Sequence, residues 1–283
     1  MVHIIADTTS CLSAEIAQKY HIPVIPQVIN FGEESFYEGL NIDIPEFLRR
    51  LKSSSNLPKT AAPPPELLRR EFDRLGKSAE PILCIHPSSE VSGTVNSAKV
   101  AAADYPDLDI RVIDTRSVAS PLGTMVRLAA EWATSGSSAD DIVARLAEMA
   151  KRCRIYFLVD TLEFLARGGR IGGASALLGS VLQIKPILRL HDGRVDQYER
   201  ERTHKRAIAR VKQIVLEQIP TDGTGYLSIM EAGAPNEAKL LADDLSKLTN
   251  QSAVRIFQMP PAIITHGGPG ILAAGFFCTH CDN

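Results

Sequence analysis

No charge of one sign dominates this chain. Its 31 Lys and Arg against 33 Asp and Glu leave a formal net charge of −2, so no global field gathers nucleic acid or an acidic membrane. Five cysteines, Cys11, Cys84, Cys153, Cys278 and Cys281, are odd in number and mostly far apart, which excludes a disulfide framework. No basic segment followed by an apolar run opens the sequence; "MVHIIADTTS" reads directly as a first strand, and a reduced, cytoplasmic setting is expected. The one long uncharged stretch, "PPAIITHGGPGILAAGFFC" (260–278), holds three prolines and four glycines, so a continuous membrane-crossing helix is excluded. The P-loop pattern is absent from the whole chain, and the Gly-x-Ser-x-Gly elbow is absent from the serine-rich stretch at 86–98, which weighs against nucleotide phosphate binding and elbow-type acyl hydrolysis. "CTHC" (278–281) has no second pair of ligands, so it reads as an exposed tail and not a structural zinc site; no metal is expected.

What is present is an alternation. With 283 residues the chain is comfortable for two cores, and its 45% apolar and 23% charged content fits a soluble globular protein. Apolar runs at 2–7, 80–85 and 109–114 read as buried strands. Between and after them, 13–20, 44–54, 63–77, 121–136 and 138–153 carry helical spacing, with Asp43 as a cap and Ser138 to Asp141 as a capping box. "IPVIPQVINF" (22–31) is extended, but its two prolines make it irregular or an edge. Such alternation implies a mostly parallel sheet covered by helices. The second half differs. "RIYFLVD" (154–160) is a strand, 161–184 is helical but broken by glycines, and Asp192-Gly193 between two extended runs signals a hairpin, hence a mixed sheet. Helix, strand, helix, strand then follow to Pro260. The expectation is an α/β protein of two domains, 1–153 and 154–283.

Four polar places invite chemistry. "HPSSEVSGTVNSA" (86–98) joins a buried strand to a helix, the place where open α/β sheets bind ligands. Ser92 or Thr94 there either caps the helix or cradles an anion at its positive end. Thr60, in the proline-stiffened "PKTAAPPP", either faces a ligand or bonds its own backbone, the commoner fate. His266 sits in "ITHGGPG", where glycines let backbone approach a ligand, though a lone histidine is more often structural. Arg167 and Arg170 lie among the four glycines of "ARGGRIGG", which also reads as a helix end complemented by cations.

Taken in order, "DTTS", "PKTAAPPP", "PSSEVSGTVNSA", "VIDTRSVASPLG", "DTLEFLARGGRIGGASALLGSVLQIKPIL", "ERERTHKRAI" and "THGGPG" resemble the DegV family over essentially the whole chain. The 160–188 block and "THGGPG" are the most specific. The resemblance implies a two-domain α/β fold, the N-terminal part a helix-flanked, mostly parallel sheet of the EDD type. It also implies binding of one long-chain fatty acid, without a cofactor and without a catalytic site of the chain's own. In bacteria such proteins serve as the fatty-acid-binding subunit of a two-component kinase, whose separate partner brings ATP and phosphorylates the bound carboxylate. By this resemblance Thr60, Ser92 and His266 hold the carboxylate, and Arg170 lies near the headgroup or faces the kinase. The family's Thr-Ser-Gln-Pro reads Thr60-Ala61-Ala62-Pro63 here, so Thr60 carries over and its polar neighbours do not. A passing membrane contact stays open, without a transmembrane segment. Two rivals remain: an esterase or thioesterase using Ser92 and His266 with Asp7 or Asp114, and a sugar- or dihydroxyacetone-binding kinase subunit.

Overall fold

The computed structural model describes residues 2–54, 56–178 and 184–279. The chain divides into two compact units, one running to Ala150 and including Pro260–Ala262, the other formed by Lys151–Met259 with the residues from Ile263 onward.

The first unit opens with β1 (His3–Asp7), a 3-10 turn (Thr8–Ser10), α1 (Ala14–Lys19), β2 (Val24–Ile25), β3 (Val28–Phe31), β4 (Glu34–Tyr37) and α2 (Ile44–Ser53). It continues with β5 (Lys59–Ala61), α3 (Pro65–Leu75), β6 (Ile82–His86), α4 (Thr94–Ala102), β7 (Ile110–Asp114), α5 (Ala119–Thr134) and α6 (Ala139–Arg152). Four strands form a wholly parallel sheet in the order β2-β1-β6-β7. The apolar faces of α3 and α4 cover it: Leu68, Phe72, Leu75, Ala98 and Ala101 pack on Ile5, Ile82 and Cys84. Ile82 and Cys84 are two apart, so one face of β6 meets these helices and the alternate residues point the other way. α5 packs against β1 and β6. The capping expected from sequence is present: Asp43 accepts from the Glu46 N–H at 2.9 Å, and Ser138 accepts from the Asp141 N–H while donating to its carboxylate.

A second, three-stranded antiparallel sheet, β4-β3-β5, departs from the expected alternation. Pro26 ends β2, and the extended run at 22–31 leaves the parallel sheet there to become the middle strand of the small one.

The second unit contains β8 (Cys153–Leu158), α7 (Glu163–Arg167), a 3-10 segment (Gly172–Leu177), β9 (Lys185–His191), β10 (Arg194–Glu201), α8 (His204–Gln218) and β11 (Leu227–Ala232). α9 (Pro235–Leu248), β12 (Arg255–Gln258), α10 (Pro261–Gly267) and β13 (Ile271–Phe277) complete it, α10 beginning among the residues counted with the first unit. Its sheet has the order β10-β9-β8-β13-β11-β12 and is mixed: only β11 and β12 run parallel. Asp192 and Gly193, at φ of 47° and 77°, make the β9–β10 hairpin turn as expected. α8 and α9 cover one face through Val211, Ile214, Val215, Leu241 and Leu245, set on Tyr156, Ile187, Ile229, Leu272 and Phe276.

As expected, the uncharged stretch at 260–278 is no continuous helix: a short helix is followed by the buried strand β13, which lies between β8 and β11 in the sheet. One expectation is corrected here: Cys278, just after β13, is no exposed tail but is buried as part of the apolar core that the sheet forms with α8 and α9; Cys281 lies outside the described residues. No helix among the described residues is long and apolar enough to cross a membrane.

Candidate functional site

In the first unit the polar residues gather at the carboxyl ends of β1 and β6. Asp7 closes β1 with both carboxylate oxygens occupied. Oδ1 accepts from the Thr9 N–H (3.0 Å), the Thr9 hydroxyl (2.5 Å) and Gln27 Nε2 (3.1 Å), while Oδ2 meets His86 Nδ1 at 2.8 Å. Asp7 and His86 are fully buried, and the cost of burying the Asp7 carboxylate is offset by the partners that both its oxygens have.

The chain leaves β6 at His86 and turns through 87–93 into α4. The Ser92 N–H bonds the Ser88 carbonyl at 3.0 Å. The cap position falls on Gly93, without a side-chain cap, so Ser92 lies one residue before it and Thr94 is the first helical residue. Ser92 Oγ stands 2.8 Å from Thr94 Oγ1 and accepts from the Thr94 N–H at 3.3 Å. Thr94, fully buried, receives Gln27 Nε2 at 2.9 Å. The first turn of α4 carries no acidic residue, which leaves its positive end uncompensated by a side-chain charge.

Thr60 is the middle residue of β5, paired with Ile29 of β3. From there the chain passes along the start of α4. A Cβ built on Gly93 would lie 3.3 Å from the Ala62 methyl, and the Ser97 hydroxyl donates to the Pro63 carbonyl. The segment carrying Thr60 is thus placed beside the turn carrying Ser92. The small sheet is responsible, and its register could not be read from the sequence.

His266 and Arg170 are brought together in the second unit. His266 lies in α10, against the end of α7. A Cβ at Gly168 would meet His266 Nδ1 at 2.2 Å, so only glycine fits there. The Gly168 carbonyl accepts from Arg170 Nη1 at 2.6 Å, and the Arg170 N–H bonds the Leu165 carbonyl. Burial, aided by the Arg170 charge, lowers the His266 pKa to about 4, so its imidazole is neutral near pH 7. Arg167 instead pairs with Glu163 one turn back on α7.

The two aspartates weighed as partners for a hydrolytic histidine are committed elsewhere: Asp7 to His86, and Asp114 to the Ser89 hydroxyl at 2.5 Å. Burial pushes the Cys11 and Cys84 thiols up, which removes thiolate character. No cluster of three metal-ligating side chains occurs among the described residues.

Two participants escaped the sequence reading. Gln27 carries no motif; its one signal is an amide inside an otherwise mostly apolar extended run. Glu38 follows a hairpin whose strand β4 is mostly exposed, yet it is itself buried. It accepts the Ala262 N–H at 2.7 Å and the Thr8 hydroxyl. Burial raises its pKa to about 7, with the Asp7 charge adding and the two donors opposing.

The family model described as "Uncharacterised protein, DegV family" matches residues 1–279. The chain belongs to the DegV family. A DegV domain-containing protein of Streptomyces coelicolor is 35% identical over 276 residues, 96% of either chain. Among solved structures, this DegV chain is similar to a fatty acid binding DegV family protein of Streptococcus agalactiae, with a TM-score of 0.91, 28% identity and 99% of each chain covered. It is also similar to DegV, a fatty acid binding protein from Bacillus subtilis, with a TM-score of 0.88, 31% identity, and 98% of this chain and 99% of that one covered. The parallel sheet with its helices and the mixed sheet are the fold of these DegV structures.

Proposed function

We propose that this chain binds one long-chain fatty acid and presents its carboxylate to a separate ATP-dependent kinase. The observation that carries the binding reading is the pairing of the Thr60 segment with the Ser92–Thr94 turn at the start of α4. There hydroxyls and an uncompensated helix end offer donors to an anion, and no acidic side chain of that first turn repels it. The fatty-acid-binding descriptions of the similar solved proteins support the same ligand class.

In this reading Thr60 and Ser92 donate to the carboxylate. His266, neutral and held against Gly168, is proposed as a further headgroup ligand by the family resemblance, and Arg170 serves the headgroup or the docking of the kinase. Each buried methylene contributes roughly 0.8 kcal/mol, so a tail of about fourteen contributes on the order of 11 kcal/mol before the costs of binding. A charge-assisted hydrogen bond adds about 1.5–3 kcal/mol. The tail therefore supplies affinity and the hydroxyls supply orientation. No cofactor enters this binding role, and the phosphoryl donor belongs to the partner. Equilibrium titration with palmitate or oleate tests the reading: one saturable site is expected, weakened in Thr60→Ala and in Ser92→Ala. Saturation with both variants indistinguishable from the parent would remove these two residues from the site.

A further inference from the structure

Gln27 is 3% exposed, and its side chain bridges Asp7 and Thr94, which share no other bond. We infer that Gln27 is a positioning residue that sets the hydrogen-bond polarity of Ser92, making it a donor toward the ligand headgroup; this rests on the fatty-acid reading above.

The argument starts at a group whose direction is fixed. The Thr9 backbone N–H can only donate, so Asp7 Oδ1, 3.0 Å away, accepts. Whatever Gln27 presents to that same oxygen at 3.1 Å must be a donor, which makes it the amide nitrogen. That nitrogen has two hydrogens, and the second reaches Thr94 Oγ1 at 2.9 Å. A threonine oxygen that accepts there must send its own hydrogen elsewhere. Ser92 Oγ, at 2.8 Å, is the partner in line, and it also accepts the Thr94 N–H at 3.3 Å. Ser92 thus accepts twice from Thr94, its two lone pairs are engaged, and its hydrogen is directed outward. Among the described residues no acceptor takes that hydrogen.

The bridge is held rigidly. The Gln27 N–H donates to the Thr8 hydroxyl oxygen at 3.1 Å, and its carbonyl accepts the Glu38 N–H at 2.9 Å. A half-buried serine that can only donate favours a headgroup that can only accept. A carboxylate satisfies this, whereas a primary amide of the same shape also presents N–H groups. Without the Gln27 donor, the Thr94 and Ser92 hydroxyls are free to reverse, with Ser92 donating to Thr94 and turning a lone pair toward the ligand. Headgroup selectivity then falls.

The test titrates the intact protein with oleate and with oleamide and compares their affinities. Gln27→Met and Thr94→Val should lower the oleate-to-oleamide preference about tenfold, whereas Thr94→Ser, which keeps the hydroxyl, should retain the parent preference. Thermal melts establish that each variant is folded. A folded Gln27→Met protein with an unchanged preference, even if both affinities decline together, overturns the inference, because a merely structural role would produce that result. Should Gln27→Met not fold, the threonine pair decides: equal preference in Thr94→Val and Thr94→Ser overturns it. A parent protein that binds neither ligand overturns the fatty-acid reading itself and this inference with it. The two failures are therefore distinct.

Discussion

Replacing Glu38 with glutamine should change how the stability of the protein depends on pH. Glu38 is buried with a pKa raised to about 7 from the ordinary 4.5, so in the folded protein it holds its proton over a range where the unfolded chain has lost it. Between these values the native state binds more protons, and stability falls as pH rises. Below about pH 4.5 there is no penalty; above about pH 7 it is complete, at about 3 kcal/mol for two and a half pKa units. Glutamine is neutral throughout and isosteric. Its carbonyl oxygen can keep the Ala262 N–H, and its amide can donate to the Thr8 oxygen. Glu38→Gln should therefore be gained stability that grows with pH: little difference at pH 4.5, and at pH 8 a midpoint higher by roughly 6–12 °C, at 2–4 °C per kcal/mol for a unit of this size. Thermal or denaturant melts of both proteins across pH 4.5–8 provide the assay. Parallel pH profiles would refute the reasoning, since they would mean that Glu38 ionises in the folded protein as freely as in the unfolded one.

Three further outcomes are expected. Ser92→Ala should weaken fatty acid binding ten- to a hundredfold, about 1.5–3 kcal/mol, with little change in melting temperature, as judged by titration beside thermal melts; an intact affinity with lowered stability would reduce Ser92 to a structural role. Gly168→Ala should force His266 from its place, since the new methyl would lie 2.2 Å from its Nδ1, at a cost of about 1–3 kcal/mol. Imidazole NMR titration reads the same change as a His266 pKa rising from about 4 toward 6.5, and an unmoved pKa would mean the ring does not rest on Gly168. Arg170→Ala should impair kinase-dependent phosphorylation of the bound acid more than it impairs lipid affinity; parallel losses would place Arg170 at the headgroup instead.

Much of the fold was legible because local chemistry dictated it. Asp43 and the Ser138–Asp141 pair announce helix starts through their own side-chain bonds, and Asp192-Gly193 accepts the positive φ of a hairpin turn. The three-stranded sheet was not legible. β4 has exposed residues at three of its four positions and shows no apolar alternation, and β5 has only three residues, so neither carries the period-2 signal that marks a strand. β13 was hidden for the opposite reason: all seven of its residues are buried, and an unalternating run beside glycines and a proline has no readable face.

The site divided in the same way. Ser92 was visible as a hydroxyl between strand and helix, a position with chemical meaning of its own. That Thr60 lies beside it depends on β5 pairing with β3, a contact between distant stretches that composition does not encode. Gln27 and Glu38 owe their roles to burial and to partners such as Thr94 and Ala262, which only the folded chain supplies.

The central claim is most directly tested by what the protein carries. Organic extraction of protein purified without delipidation, followed by mass spectrometry, should return a long-chain fatty acid at about one equivalent per chain, consistent with a single carboxylate site whose tail supplies roughly 0.8 kcal/mol per methylene. Repeated extraction that yields no lipid, together with no binding of added palmitate or oleate, would contradict the account.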